Sequence, residues 1–123
     1  MLTEFGKFCR KLRIDHNETQ QDIANYLGVT TAYLSTVEHG KRNISEKIVD
    51  KLISRYNLSG AKLNQFKSTI TNSIFFIKIH LHRMNSLDRE LIIKIYYNLN
   101  ELNDKDKKEL IEVIDNQLAN KSK

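Results

Sequence analysis

The most informative segment of the sequence is Gln20-Gln21-Asp22-Ile23-Ala24-Asn25-Tyr26-Leu27-Gly28-Val29-Thr30-Thr31-Ala32-Tyr33-Leu34-Ser35-Thr36-Val37. Thr19 stands before it as a helix N-cap, and Asp22, three residues later, fits the capping-box pattern. Gly28 allows the positive φ that a tight turn needs, and Thr30 can cap a second helix. The stretch therefore predicts two short helices joined by a tight turn.

The spacing of small and apolar residues lets these two helices cross closely. Ala24 lies where the contact residue has to be small, and five apolar residues would fill the wedge between the helices: Ile23, Leu27, Val29, Leu34 and Val37. The outer face of the second helix carries small groups suited to the edges of bases: Thr31, Ala32, Ser35 and Thr36. This pattern indicates a helix-turn-helix, and the alternative is an ordinary helical hairpin within a core.

Helical periodicity continues on both sides of this motif. Apolar residues at helical spacing predict a first helix over residues 2–14, with Asn17 as a left-handed terminator. Gly40 ends the second helix of the motif, and further helices begin at Ser45 and Ser59. We therefore expect a five-helix domain, with its boundary at residue 60, followed by a C-terminal dimerisation or regulatory region over residues 61–123.

The period changes to two within the C-terminal region and predicts a single β-strand over residues 74–82. Four apolar residues alternate with polar ones there: Phe75, Ile77, Ile79 and Leu81. A lone strand leaves backbone groups unpaired, so we expect these residues to dimerise by pairing with the same strand of a second chain. The alternative is a helical segment. Two more helices, over residues 87–99 and from residue 103, complete a mainly α fold.

Composition narrows the class of protein. The net charge of +5 suits a polyanionic partner, and the single cysteine, Cys9, excludes an internal disulfide and fits a small core residue. His80 and His82 lack a third metal ligand, and no catalytic constellation is visible. We therefore expect no enzyme, no cofactor and no metal site. No apolar run approaches the roughly 20 residues of a membrane span, and a signal-peptide pattern is missing, so a cytoplasmic protein is expected.

The sequence resembles the phage-repressor and Cro-like helix-turn-helix family, also called the XRE family. Roughly residues 3–60 carry the resemblance, through Phe5-Gly6, Arg10, Leu12-Arg13, the stretch from Thr19 to Val37, Glu38-His39-Gly40-Lys41-Arg42, and Ile48 to Tyr56. The resemblance implies a lambda-repressor-like domain that binds operator DNA in the major groove, usually as a dimer.

The resemblance also implies roles for individual residues. Gln20 corresponds to a phosphate-binding position, Thr30 and Tyr33 to positions near the DNA backbone, and Lys41 and Arg42 to a phosphate-contacting loop. Base-reading positions are matched by Thr31, Ala32 and Thr36. Arg13 and Glu38 are expected to form a structural ion pair. The sequence departs from the family pattern at three places: Glu18 replaces an apolar residue, Ala32 replaces a common glutamine, and Asn43-Ile44-Ser45 lacks the proline that is common before the fourth helix.

These observations predict a sequence-specific transcription regulator that binds double-stranded DNA. We expect a repressor or autoregulator of a phage or mobile element that binds a palindromic operator as a homodimer. The alternatives are an anti-CRISPR-like inhibitor of a host defence enzyme and an antitoxin. Either would keep the DNA-binding domain and bind a different protein through the C-terminal region.

Overall fold

The computed structural model describes residues 1–122, which contain seven α-helices and two short 3-10 turns. The helices are α1 (Glu4–Asp15), α2 (Gln20–Leu27), α3 (Thr31–Glu38), α4 (Glu46–Arg55), α5 (Gly60–Ser73), α6 (Ser86–Asn98) and α7 (Asp104–Lys121). The 3-10 turns are Leu81–Arg83 and Leu99–Glu101. Two compact units divide the chain after Ile77. Lys123, the last residue of the predicted C-terminal region, lies outside the described residues.

The turn between α2 and α3 is specified locally, as the sequence predicts. The Thr19 hydroxyl accepts the Asp22 N–H at 3.1 Å, and the Asp22 carboxylate accepts the Thr19 N–H at 2.9 Å. The backbone hydrogen bond from Thr19 lowers the pKa of Asp22. Gly28 has φ of 75° and ends α2, and the Thr30 hydroxyl accepts the Tyr33 N–H at 3.0 Å to start α3. The predicted capping box and left-handed turn are confirmed.

The core of the first unit lies between α1 and the helices around it. Phe66 of α5 is fully buried, with its ring centroid 5.9 Å from that of Phe5 and 5.3 Å from that of Phe8. The Ser73 hydroxyl, also on α5, accepts the Phe5 N–H at 3.0 Å. Although α5 lies almost wholly beyond the boundary predicted at residue 60, it packs on α1 within the first unit.

The predicted β-strand over residues 74–82 is wrong, because the structure has no strand within residues 1–122. Ile74 is extended, with φ of −98° and ψ of 112°, and the chain has no regular structure until the 3-10 turn at Leu81–Arg83. Alternation of apolar and polar residues favours extended backbone, but a strand also needs a neighbour for its N–H and C=O groups. The described residues offer no second strand, so this segment has no ladder partner, although the Asn43 side-chain amide donates to the Phe76 carbonyl oxygen at 3.1 Å.

The second unit consists of the 3-10 turns, α6 and α7. Asn85 caps α6, and Asn103 forms a capping box with Asp106 at the start of α7. Both C-terminal helices predicted from the sequence are therefore present. None of the helices within residues 1–122 is long and apolar enough to cross a bilayer.

Gly6 marks the closest approach of α1 to α3. A Cβ atom on Gly6 would lie 2.2 Å from the Glu38 carbonyl oxygen. That oxygen also accepts the Thr3 N–H at 3.0 Å and the Thr3 hydroxyl at 2.9 Å. The start of α1 can thus lie directly against the end of α3 only because residue 6 lacks a side chain.

We expect Gly6→Ala to lower the free energy of unfolding by about 1–3 kcal/mol, since the added methyl forces the helices apart. Alanine normally favours a helix over glycine by about 1 kcal/mol, so a loss identifies the clash. Urea denaturation measures the change. Lys7→Ala, at the neighbouring exposed position, is the matched control and should leave the midpoint nearly unchanged. A Gly6→Ala protein as stable as wild type would contradict the close approach.

Candidate nucleic-acid interface

One side of α3 is built into the core, and the other faces outward. Leu34 and Val37 are each 1% exposed, whereas Ala32 is exposed and three residues are partly exposed: Thr31, Ser35 and Thr36. The Thr36 hydroxyl donates to the Tyr33 carbonyl oxygen at 2.6 Å. It can therefore offer a ligand only an acceptor oxygen and its methyl group. The outer face of α3 is thus a row of short side chains, with Tyr33 as its bulky member.

Glu38 fixes the position of α3 from its last residue. Its carboxylate is 1% exposed and accepts from both terminal nitrogens of Arg13, at 2.5 and 3.3 Å. The Gln20 amide donates to the same carboxylate at 3.2 Å. A buried carboxylate is costly unless donors satisfy it, and here the donors come from α1 and from the first residue of α2. The structure thus brings Arg13, Glu38 and Gln20 into one network.

Cys9 lies beside this network on the buried face of α1, 4% exposed. Burial raises the pKa of the Cys9 thiol above its usual range, and the nearby Glu38 carboxylate adds to the effect. A neutral, buried thiol is a poor nucleophile. Cys9 is a core residue, as its place in the apolar pattern of α1 predicts.

The loop after α3 folds back and brings cations next to the outer face of α3. The Lys41 and Arg42 N–H groups donate to the Thr36 carbonyl oxygen at 2.9 and 3.3 Å, and Gly40 turns the chain with φ of 75°. The Arg42 guanidinium carbon lies 5.6 Å from the centroid of the Tyr33 ring. Both cationic side chains are exposed, so this end of α3 presents two positive charges to solvent.

A cavity of about 440 Å³ lies at the junction of α1, α2 and the end of α3. Its lining includes Gln20 together with Arg10 and His39. The His39 Nδ1 atom lies 2.8 Å from the Ser35 carbonyl oxygen, which leaves Nε2 as the free ring nitrogen. Sequence analysis did not assign functional roles to Arg10 and His39. Their positions in the sequence could have indicated such roles, because Arg10 precedes Arg13 by one helical turn and His39 directly follows Glu38.

The unusual Glu18 is accommodated by a second ion pair. Its carboxylate accepts from the Arg55 guanidinium of α4. The Arg55 guanidinium carbon also lies 4.7 Å from the centroid of the Tyr26 ring. Where the family pattern has an apolar contact before α2, this chain has a partly exposed ion pair that joins the same segment to α4.

The structure does not bring the four residues of the predicted dimerisation strand together on a strand. Phe75 and Ile77 end the first unit, whereas Ile79 and Leu81 begin the second. The rings of His80 and His82 are near each other, with centroids 5.7 Å apart. Among residues 1–122, no group of three or more metal-ligating side chains is placed to hold a metal ion.

The comparison with protein families matches residues 10–63 to the helix-turn-helix family model. Over this segment, a little under half of the chain, the sequence is similar to that family. The match begins within α1, includes α2, α3 and α4, and ends at the start of α5. Neither curated proteins nor solved structures gave a match. A helix-turn-helix domain of the XRE type is a DNA-binding domain of regulators, in which the second helix of the motif enters the major groove. That helix is α3.

We expect Glu38→Ala to destabilise the helix-turn-helix domain by roughly 3–5 kcal/mol, because it leaves the Arg13 guanidinium buried without its partner. Chemical denaturation followed by circular dichroism measures the loss. Glu18→Ala removes the carboxylate of the partly exposed pair and is the matched control, with an expected cost of about 1 kcal/mol or less. Equal effects of the two substitutions would show that the Arg13–Glu38 pair contributes no more than a surface pair.

Proposed function

We propose that the protein is a transcription regulator that binds double-stranded DNA in a sequence-specific manner. The observation that carries this proposal is the outer face of α3, where short side chains stand next to exposed cations on a helix fixed by a buried ion pair. The matched helix-turn-helix segment supports it. We assign the base contacts and the phosphate contacts separately, from the side chains on and around α3.

Base reading is assigned to the outer residues of α3. A B-DNA major groove is about 12 Å wide and admits one helix. The methyl groups of Ala32 and Thr36 suit apolar contact with the C5-methyl of thymine, and the hydroxyls of Thr31 and Ser35 can exchange hydrogen bonds with base edges. Since the Thr36 hydroxyl already donates within the helix, the face favours thymine-containing steps over bidentate recognition of guanine.

Phosphate contacts are assigned to the two sides of α3. Thr30 and Tyr33 serve the DNA backbone near the start of α3, and Lys41 and Arg42 serve it from the loop that folds back beside Tyr33. On the opposite side of α3, Arg10, Gln20 and His39 line the cavity described above. We assign these three residues to a second phosphate. Such contacts fix the register of α3 in the groove and carry no sequence information themselves.

Regulation by a helix-turn-helix domain is usually exerted by a pair of domains on a palindromic operator. Two half-sites about 34 Å apart place two α3 helices in successive major grooves on one face of the duplex. We propose that this chain acts as a homodimeric repressor or autoregulator, and the phage or mobile-element setting follows from the family resemblance alone. The anti-CRISPR-like inhibitor and the antitoxin stay predictions.

Selection of binding sites from random duplex DNA tests the proposal directly, and recovery of no common sequence would contradict it. We expect Thr31→Glu and Thr36→Glu to remove the preference for the selected site over random DNA, because a carboxylate would face base acceptors and phosphates. Thr71→Glu, at an exposed position of α5, introduces the same charge away from α3 and is the control. If the Thr31 and Thr36 variants kept the full preference, base reading would have to lie elsewhere.

The assignment of phosphate contacts is tested by the salt dependence of DNA binding. We expect Lys41→Ala, Arg42→Ala and Arg10→Ala each to weaken binding to all duplexes alike and to reduce the salt slope of the association constant by about 0.9. Fluorescence anisotropy over a series of salt concentrations measures the slope. Lys67→Ala, at an exposed position of α5, removes the same charge and should leave the slope unchanged. A slope reduced equally by Lys67→Ala would mean a general charge effect.

A further inference from the structure

The second unit of the chain has helices without a core. Of the residues described from Lys78 onward, none is buried, although α6 and α7 are both well capped. Most of the large apolar side chains that should drive their folding face solvent instead. Tyr96 and Tyr97 of α6 are 74% and 75% exposed, and Ile111 of α7 is 59% exposed.

The sequence of α6 is apolar around most of the helix. Leu91-Ile92-Ile93-Lys94-Ile95-Tyr96-Tyr97 contains one charged residue in seven, and at 3.6 residues per turn the six apolar ones spread over about 240° of the circumference, with Lys94 in the remaining gap. A helix with so wide an apolar surface is stable in water only where more than one neighbour covers it. A single α7 can cover one side of α6, so at least one further element has to cover the rest.

α7 has the complementary pattern. Leu110, Ile114 and Leu118 form an apolar stripe at spacings of four, widened by Ile111 and Val113, and the opposite side of the helix is polar. This is the pattern of an outer helix that covers an inner one. One chain thus supplies one helix suited to the centre of a bundle and one suited to its outside.

We propose that α6 and α7 form a four-helix bundle with α6 and α7 of a second copy of this chain. In that arrangement the two α6 helices face each other, and the two α7 helices cover their remaining apolar sides. A two-fold axis makes the interface self-complementary. The proposal rests on the proposed function only in that a symmetric pair of helix-turn-helix domains matches a palindromic operator.

The charge of this surface permits contact with an identical copy. From residue 84 to the end, the sequence has seven basic and eight acidic residues, so two copies do not repel each other through net charge. A partner selected by charge would instead require an excess of one sign.

The exposed apolar area is close to what a dimer needs. Fully burying one large apolar side chain removes roughly 60–120 Å² from water. Between Leu87 and Leu118, eleven such side chains are 42% to 75% exposed, and together they offer roughly 400–800 Å². One side of a standard interface buries about 800 Å², of which about 65% is apolar in homodimers. The second copy therefore accounts for the surface without another partner.

Sedimentation velocity of the full chain, without DNA and at micromolar concentration, tests this proposal. We expect a mass of two chains of 14.4 kDa each. Ile114→Glu places a charge at the centre of the α7 stripe and should raise the dimer dissociation constant tenfold or more, since a buried carboxylate without a partner is strongly disfavoured. Asn116→Glu adds the same charge about 200° around α7 and is the matched control, expected to dimerise as wild type does.

Circular dichroism establishes that the variants keep their helix content. If Ile114→Glu loses it, Ile114→Ala is compared with Asn116→Ala and should still weaken dimerisation several-fold. A monomeric or tetrameric wild type would overturn the proposal, as would equal dimerisation of the Ile114 variants and their controls. Because no DNA is present, such a result leaves the proposed DNA binding to be judged by the site selection.

Discussion

The contact of Glu38 with the start of the chain is the interaction on which the helix-turn-helix domain depends. The side chain of Glu38 accepts from Arg13 and Gln20, and its backbone carbonyl accepts twice from Thr3. Gly6 permits the approach because a Cβ atom there would meet the same carbonyl oxygen. The last residue of α3 is therefore held through both its side chain and its backbone, with partners on α1, α2 and the N-terminal segment.

This arrangement explains how α3 can keep a polar outer face without losing its position. Short helices are only marginally stable in water, and most of their stability comes from tertiary packing. α3 has eight residues. On its buried side, Leu34 and Val37 pack in the core and Glu38 pairs with Arg13. Its outer side can then carry small, partly exposed side chains, because stability is supplied from the other side.

The two units of the chain differ in whether their apolar residues are buried. In the first unit, apolar residues spaced along α1 to α5 meet in one core around Phe5, Leu12, Leu52 and Phe66. In the second unit, residues of equal hydrophobicity remain exposed. Since surface area buried per residue rises with the size of a folded unit, a short pair of helices gains most from association with further helices.

Residue patterns alone predicted the caps, the turn at Gly28 and the helices on both sides of it. Each of these depends on residues within four positions of one another, such as Thr19 with Asp22, and local hydrogen bonds and allowed φ values decide them. The stripe of α7 and the placement of Cys9 in the core followed from helical periodicity in the same way.

Features that join residues distant in sequence depend on the three-dimensional fold. The segment over residues 74–82 has a strand-like alternation, yet it forms no strand, because a strand depends on a neighbour that periodicity does not report. The packing of Phe66 on Phe5 assigned α5 to the first unit, across sixty residues of chain. The cavity that joins Arg10, Gln20 and His39 likewise comes from three helices. Sequence patterns show which face of a segment is apolar. The fold determines which other segment packs against that face.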